Sequence, residues 1–238
     1  MYFQDRVDAG RRLARGLLER GYTGEDTLVV GLPRGGVPVA YEVAAALGAL
    51  LDVCVVRKIC APEYPELGLG AVAEGGVVFL NRKLMDEMDL TEDDLQGAIH
   101  QKTAEVEARV ACFRQGTEPT PVEGKRILLV DDGIATGATV RAALQALRAR
   151  RPGRIVLAVP VAATLTLKEL RPLVDDVVCT CSILSMFAIG RWYIDFSQVS
   201  DWEVVKLLAL ARGTFEHGRP SPTTGSAHPG PPQGTGPG

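Results

Sequence analysis

Apolar residues recur along this chain in two alternating rhythms. Spacings of three and four mark helices over residues 5–20 (Val7, Leu13, Leu17 and Leu18, with Gly21 as a stop), 36–47, 137–150, 165–171 and 201–212. A charged helix is predicted over 91–114, with Thr91 as N-cap and acids in its first turn. Between the helices lie short apolar runs at 27–32, 53–56, 126–131, 154–161 and 176–180, which read as buried strands. Strands alternating with helices imply an α/β fold: a mostly parallel sheet flanked by helices on both faces. Residues 59–70 lack periodicity and carry Pro62, Pro65, Gly68 and Gly70, so they read as a mobile loop. Two short strands around Glu74-Gly75-Gly76 suggest a hairpin.

Toward the C-terminus the pattern changes twice. Residues 183–199 are apolar and aromatic-rich without a clear period. Beyond the last helix, Gly and Pro supply more than half of residues 218–238, so 1–213 is expected to form one domain and 214–238 a disordered tail. The chain's 238 residues suffice for one substantial core. The longest apolar runs are too short for a membrane span, and the N-terminus lacks an apolar signal core, so no membrane partner and a cytoplasmic location are expected.

Charge and residue counts narrow the chemistry. A formal net charge of −3 argues against nucleic acid as a partner held by bulk charge. Five cysteines (54, 60, 112, 179 and 181) form no C-x-x-C pair, and Cys54 and Cys179 sit inside strand patterns as core residues. Only His100 lies in the expected folded body, which removes histidine-dependent triads and zinc hydrolase sites. Gly68-x-Gly70-x-x-Ala73 matches a dinucleotide fingerprint, but it follows a proline-rich stretch and leads into a hairpin, so the strand–helix context is missing.

Chemistry concentrates in Ile127-Leu-Leu-Val-Asp131-Asp132-Gly133-Ile-Ala135-Thr136-Gly137-Ala138-Thr139. A buried strand ends in two adjacent carboxylates, and a small-residue loop then opens a helix. Backbone N–H groups and the positive helix end suit a phosphate. The carboxylates suit sugar hydroxyls or a hydrated Mg²⁺. A second anion site is expected where a strand runs into Pro33-Arg34-Gly35-Gly36 before a helix. Arg57-Lys58, ending the next strand, would add two cations at the same sheet edge.

The thirteen-residue motif resembles the PRPP-binding motif of type I phosphoribosyltransferases, and Arg34-Gly35-Gly36 resembles the pyrophosphate loop of the same family. The likeness covers roughly residues 5–212. It is strongest to a bacterial group of unassigned substrate that shares the Arg-Gly-Gly-Val-Pro, Val-Arg-Lys and Trp-Tyr-x-Asp-Phe-x-Gln elements. It implies the type I phosphoribosyltransferase fold with a small hood over 183–199, and transfer of 5-phosphoribosyl from Mg²⁺-PRPP to a nitrogenous base with release of pyrophosphate. By this resemblance Asp131 and Asp132 contact the ribose hydroxyls, Ala135 to Thr139 hold the 5′-phosphate, and Arg34, Gly35, Gly36, Arg57 and Lys58 serve the pyrophosphate. Trp192 or Tyr193 would stack on the base, and Asp195 would join Asp131 and Asp132 in binding Mg²⁺ through PRPP or water. Residues 59–70 would close over PRPP. The same pocket also suits a non-catalytic PRPP or nucleotide regulator, or a phosphosugar or nucleotide hydrolase. The helices at 5–20 and 91–114 offer surfaces for a homodimer.

Overall fold

A computed structural model of the chain describes residues 2–61, 64–184, 186–213, 215–216 and 219–220. The first helix, α1 (Arg6–Glu19), starts where the Asp5 carboxylate accepts from the Asp8 N–H. There follow β1 (Thr27–Gly31), α2 (Gly36–Leu47), β2 (Leu50–Val53), β3 (Val56–Ala61), β4 (Tyr64–Ala73), β5 (Val77–Leu80), α3 (Arg82–Glu87) and α4 (Glu92–Arg114). The second half runs β6 (Arg126–Val130), α5 (Ala138–Ala149), β7 (Arg154–Ala163), α6 (Thr164–Leu170), β8 (Asp176–Ile183) and α7 (Asp201–Ala211). A short antiparallel pair, β9 (Phe215–Glu216) with β10 (Arg219–Pro220), falls inside the expected tail, whose remaining residues lie outside those described.

Five strands form one sheet in the order β2-β1-β6-β7-β8, and every neighbouring pair is parallel. Their near-continuous apolar sequence follows from burial on both faces. On β6, Leu128 and Val130 join a buried cluster with Leu13 and Leu17 of α1, Val43 of α2 and Leu208 of α7. Ile127 and Leu129 face the other way, into a cluster with Val140, Leu144 and Leu147 of α5 and Leu170 of α6. The expected fold class is therefore the observed one. No helix among the described residues is long and apolar enough to cross a membrane.

The region after β2 departs from the sequence reading. The strand expected at 53–56 is split: β2 ends at Val53, and β3 begins at Val56 in a separate antiparallel sheet, β3-β4-β5. Of the stretch read as a loop over 59–70, residues 59–61 and 64–70 are strand, and 62 and 63 lie outside the described residues. Gly70 marks close approach of strands rather than slack: a Cβ there would overlap the Phe79 carbonyl of β5. The hairpin expected around Glu74-Gly75-Gly76 joins β4 to β5, with φ of +79° and +73° at the two glycines. This small sheet lies between two helices. Ile59, Ala61, Leu69 and Val72 share a cluster with Leu95, Val106 and Phe113 of α4, while Val56, Ala71 and Ala73 share one with α5.

A buried ion network ties α4 to the main sheet. Arg114 donates through Nε to Asp52 Oδ1 at 3.3 Å and through a terminal nitrogen to Glu74 at 2.8 Å, with its side chain only 5% exposed. Removing one member of such a network leaves uncompensated charge in the interior. Arg114→Leu should therefore lower stability by about 3–5 kcal/mol, read as a fall in the urea midpoint at neutral pH. A midpoint within error of wild type would show that the network contributes nothing.

Candidate functional site

The carboxyl edge of the sheet is assembled around the end of β6. The Asp131 carboxylate accepts from the Asp132 N–H at 2.9 Å, and the chain then bridges to β7 through Ile134, whose N–H donates to the Val161 carbonyl at 3.0 Å. Gly137, at φ +75°, opens α5, and no side chain caps that helix. Thr166 pins the loop from outside, its hydroxyl donating to the Ala135 carbonyl at 2.6 Å. The first N–H groups of α5, without intrahelical acceptors, remain as an anion cradle beside exposed Thr136, Ala138 and Thr139.

The turn between β1 and α2 sits directly on the carboxylates. A Cβ on Gly35 would overlap the Asp132 carboxylate, and one on Gly36 would lie 2.8 Å from both Asp131 Cα and the Val130 carbonyl oxygen. Glycine here serves close packing, since Gly35 has an ordinary helical backbone. The Pro33–Arg34 peptide is cis, a point the sequence leaves open.

Two neighbouring carboxylates, Asp132 buried and Asp131 partly so, need compensation. Arg6, the first residue of α1, donates through Nε to Asp132 Oδ2 at 2.8 Å and through a terminal nitrogen to the Ser197 carbonyl at 2.8 Å. Its guanidinium also lies 3.9 Å from the centre of the Phe196 ring. Burial and then the charge of Asp132 push the Asp131 carboxyl well above the usual carboxylate range. Burial also raises Asp132, against the opposing pull of Arg6. Sequence reasoning missed Arg6, which lies 126 residues from its partner and carries no local signal.

Arg57 and Lys58 do not act at one edge. They are consecutive residues inside β3, so they project to opposite faces of the small sheet. Arg57 turns toward α4, with Nε 3.8 Å from Glu105, and its pKa is lowered by burial and then by the nearby Arg109 and Arg34 guanidiniums. Lys58 instead lines a cavity of about 550 Å³ between the small sheet and α5, together with Thr139, Arg141, Phe79 and Asn81. Arg34 reaches Asp201 of α7 at 3.7 Å, and Arg109 binds the same carboxylate oxygen. Arg109 was also missed: it reads as one of many charges on a solvated helix.

The segment 183–199 covers the Asp-Asp-Gly turn. A Cβ on Gly133 would come within 2.6 Å of Ile189, so the glycine admits the covering segment. Phe3 and Gln4 run alongside, exchanging backbone hydrogen bonds with Trp192, Ile194 and Asp195. The stacking role expected of Tyr193 does not fit. Its ring is buried between Phe3 and Phe196, with centroids 5.4 and 5.0 Å away, and its hydroxyl donates to the Asp132 carbonyl at 2.5 Å. Burial raises its pKa, which keeps that donor protonated. Trp192 is half-buried against Tyr2, whereas Phe187 is 85% exposed. Asp195 closes its own turn by accepting from the Ser197 N–H at 2.9 Å, and Arg6 lies between that turn and Asp132. Among the described residues, no three His, Cys, Asp or Glu side chains gather as a direct metal-ligand set.

Comparison with known proteins places this geometry among relatives. Residues 69–190 match the family model of the phosphoribosyl transferase domain. A provisionally named phosphoribosyl transferase of Mycobacterium tuberculosis H37Rv is 43% identical over 213 residues, which cover 90% of this chain and 48% of that protein. The chain thus spans about half the length of that relative. The bifunctional protein PyrR of Clostridium novyi is 30% identical over 151 residues, 63% of this chain and 65% of that protein. A crystal structure of a protein from Thermus thermophilus superposes with a TM-score of 0.78 at 38% identity, covering 87% of this chain and 98% of that one.

Two outcomes follow from the packing and charge at this edge. Gly35→Ala should displace the Asp132 carboxylate from Arg6 and lower the melting temperature; an unchanged melting temperature would refute the close packing. Asp131 has a raised folded pKa, so the folded state binds its proton more tightly, and its contribution to stability declines as pH rises above the unfolded value. Asp131→Asn should therefore raise the melting temperature of the ligand-free protein at pH 7. The gain should shrink as pH falls toward about 4. A gain independent of pH would refute the electrostatic origin.

Proposed function

The chain belongs to the phosphoribosyl transferase family, and we propose that it transfers a 5-phosphoribosyl group from Mg²⁺-PRPP to a nitrogenous base, releasing pyrophosphate. One observation carries this reading: the uncapped start of α5, the Asp131–Asp132 pair and the Arg34 turn follow one another along a single sheet edge. A sugar bearing phosphate at both ends needs that sequence of groups: anion cradle, carboxylates for hydroxyls, then cations.

In this reading the N–H groups of residues 136–139 hold the 5′-phosphate, with the threonine hydroxyls beside them. Asp131, the more open of the two acids, accepts from the ribose hydroxyls. Asp132, held by Arg6, keeps negative charge beneath the ring as positive charge grows on the sugar. The cations at Arg34 and Arg57 stabilise the departing pyrophosphate, and no covalent protein nucleophile is required. The site suits Mg²⁺ on its own chemistry. Two crowded carboxylates, one driven toward protonation, are relieved by a hard hydrated cation that takes oxygen donors. Mg²⁺ would supply charge neutralisation of the pyrophosphate, held from Asp131 through substrate and water. An incoming base would approach beneath residues 183–199, where Phe187 and the edge of Trp192 offer aromatic surface.

Calorimetric titration of the full chain with Mg²⁺-PRPP should give saturable binding that Asp131→Asn/Asp132→Asn abolishes. Incubation with PRPP and a panel of nucleobases should then release pyrophosphate with one class of base. Absence of binding to both PRPP and ribose 5-phosphate would overturn the reading. Binding without pyrophosphate release would mark a regulator, and free base released from nucleoside monophosphates would mark a hydrolase.

A further inference from the structure

We propose that Arg109 of α4 is a third guanidinium of the pyrophosphate subsite, and that Asp201 of α7 occupies these cations until a diphosphate group displaces it. The inference rests on the transferase reading and adds a residue and an exchange step to it.

Four cations and two acids converge where α4, α7, β3 and the Arg34 turn meet. Arg34 and Arg109 share one oxygen of Asp201. Arg57 lies 3.8 Å from Glu105, and Lys102 binds Glu105 at 2.7 Å. Counting Arg34, Arg57, Arg109 and Lys102 against Asp201 and Glu105 leaves an excess of two positive charges at neutral pH. The contacts of Arg34 to Asp201 and Arg57 to Glu105, at 3.7 and 3.8 Å, exceed hydrogen-bond reach, so both forks retain capacity for better-placed oxygens. The three guanidinium side chains are 30–33% exposed, dry enough for charge-assisted hydrogen bonds yet open to a ligand.

Asp201 is suited to a temporary role. It is the first residue of α7, whose N-terminus Ser200 caps, so the helix tolerates its carboxylate with or without the arginines. A single carboxylate presents one negative charge to cations in excess, and a diphosphate presents more charge and more oxygens to the same forks. Ligand entry would thus exchange one anion for another without exposing unpaired arginines.

The test uses the full chain in Mg²⁺ buffer and two probes: inorganic pyrophosphate and ribose 5-phosphate, which lacks the diphosphate. Arg109→Ala should weaken pyrophosphate about tenfold or more and leave ribose 5-phosphate unchanged. Arg109→Lys retains charge without the fork and should lose several-fold for pyrophosphate alone, which decides the matter if the alanine variant fails to fold. Asp201→Asn should tighten pyrophosphate. Equal losses for both probes, or no loss with either Arg109 variant, would overturn the proposal, as would weaker pyrophosphate binding by Asp201→Asn. Wild-type protein that binds ribose 5-phosphate but not pyrophosphate would sink this inference alone. Binding of neither probe would sink this inference, and absence of PRPP binding as well would sink the transferase reading with it.

Discussion

Two carboxylates on consecutive residues, at the end of a strand buried on both faces, set the condition that the rest of the site satisfies. Like charges so placed repel, and burial removes the water that would screen them. The structure answers Asp132 with Arg6, and leaves Asp131 at high proton affinity. Glycines at 35 and 36 allow the second element to come down onto the acids, and Gly133 allows the covering segment to do the same.

What was legible in the sequence is what local spacing encodes. Alternating apolar rhythms announced a parallel sheet between helix layers, and Ile127 to Val130 with the following acids announced the sheet-edge site. The Gly75-Gly76 turn was equally plain. The stretch 59–70 was misread because proline and glycine count as loop signals, whereas Gly70 answers a neighbouring strand passing too close for a side chain. Tyr193 looked like a stacking aromatic because composition cannot tell a ring that faces a pocket from one that braces it. Its hydroxyl on the Asp132 carbonyl and its two aromatic neighbours settle that it braces.

The charges that sequence reasoning missed share one property. Arg6 and Arg109 sit on helices whose patterns account for every charge as solvated surface, and their partners are remote in the chain. Separating Arg57 from Lys58 required knowing that both lie within a strand, for alternation then sends neighbours to opposite faces. One serves the charged cluster under α4; the other overlooks the cavity beside α5.

The pairing of Arg6 with Asp132 also bears on the order of assembly. Closing a flexible loop of 126 residues costs about 4 kcal/mol in chain entropy, while a charge-assisted hydrogen bond returns about 1.5–3 kcal/mol. The pair cannot gather the chain by itself. Pairing of β1, β6 and β7 and the packing of α1 on the sheet bring these distant residues together, so the contact follows from the fold rather than founding it.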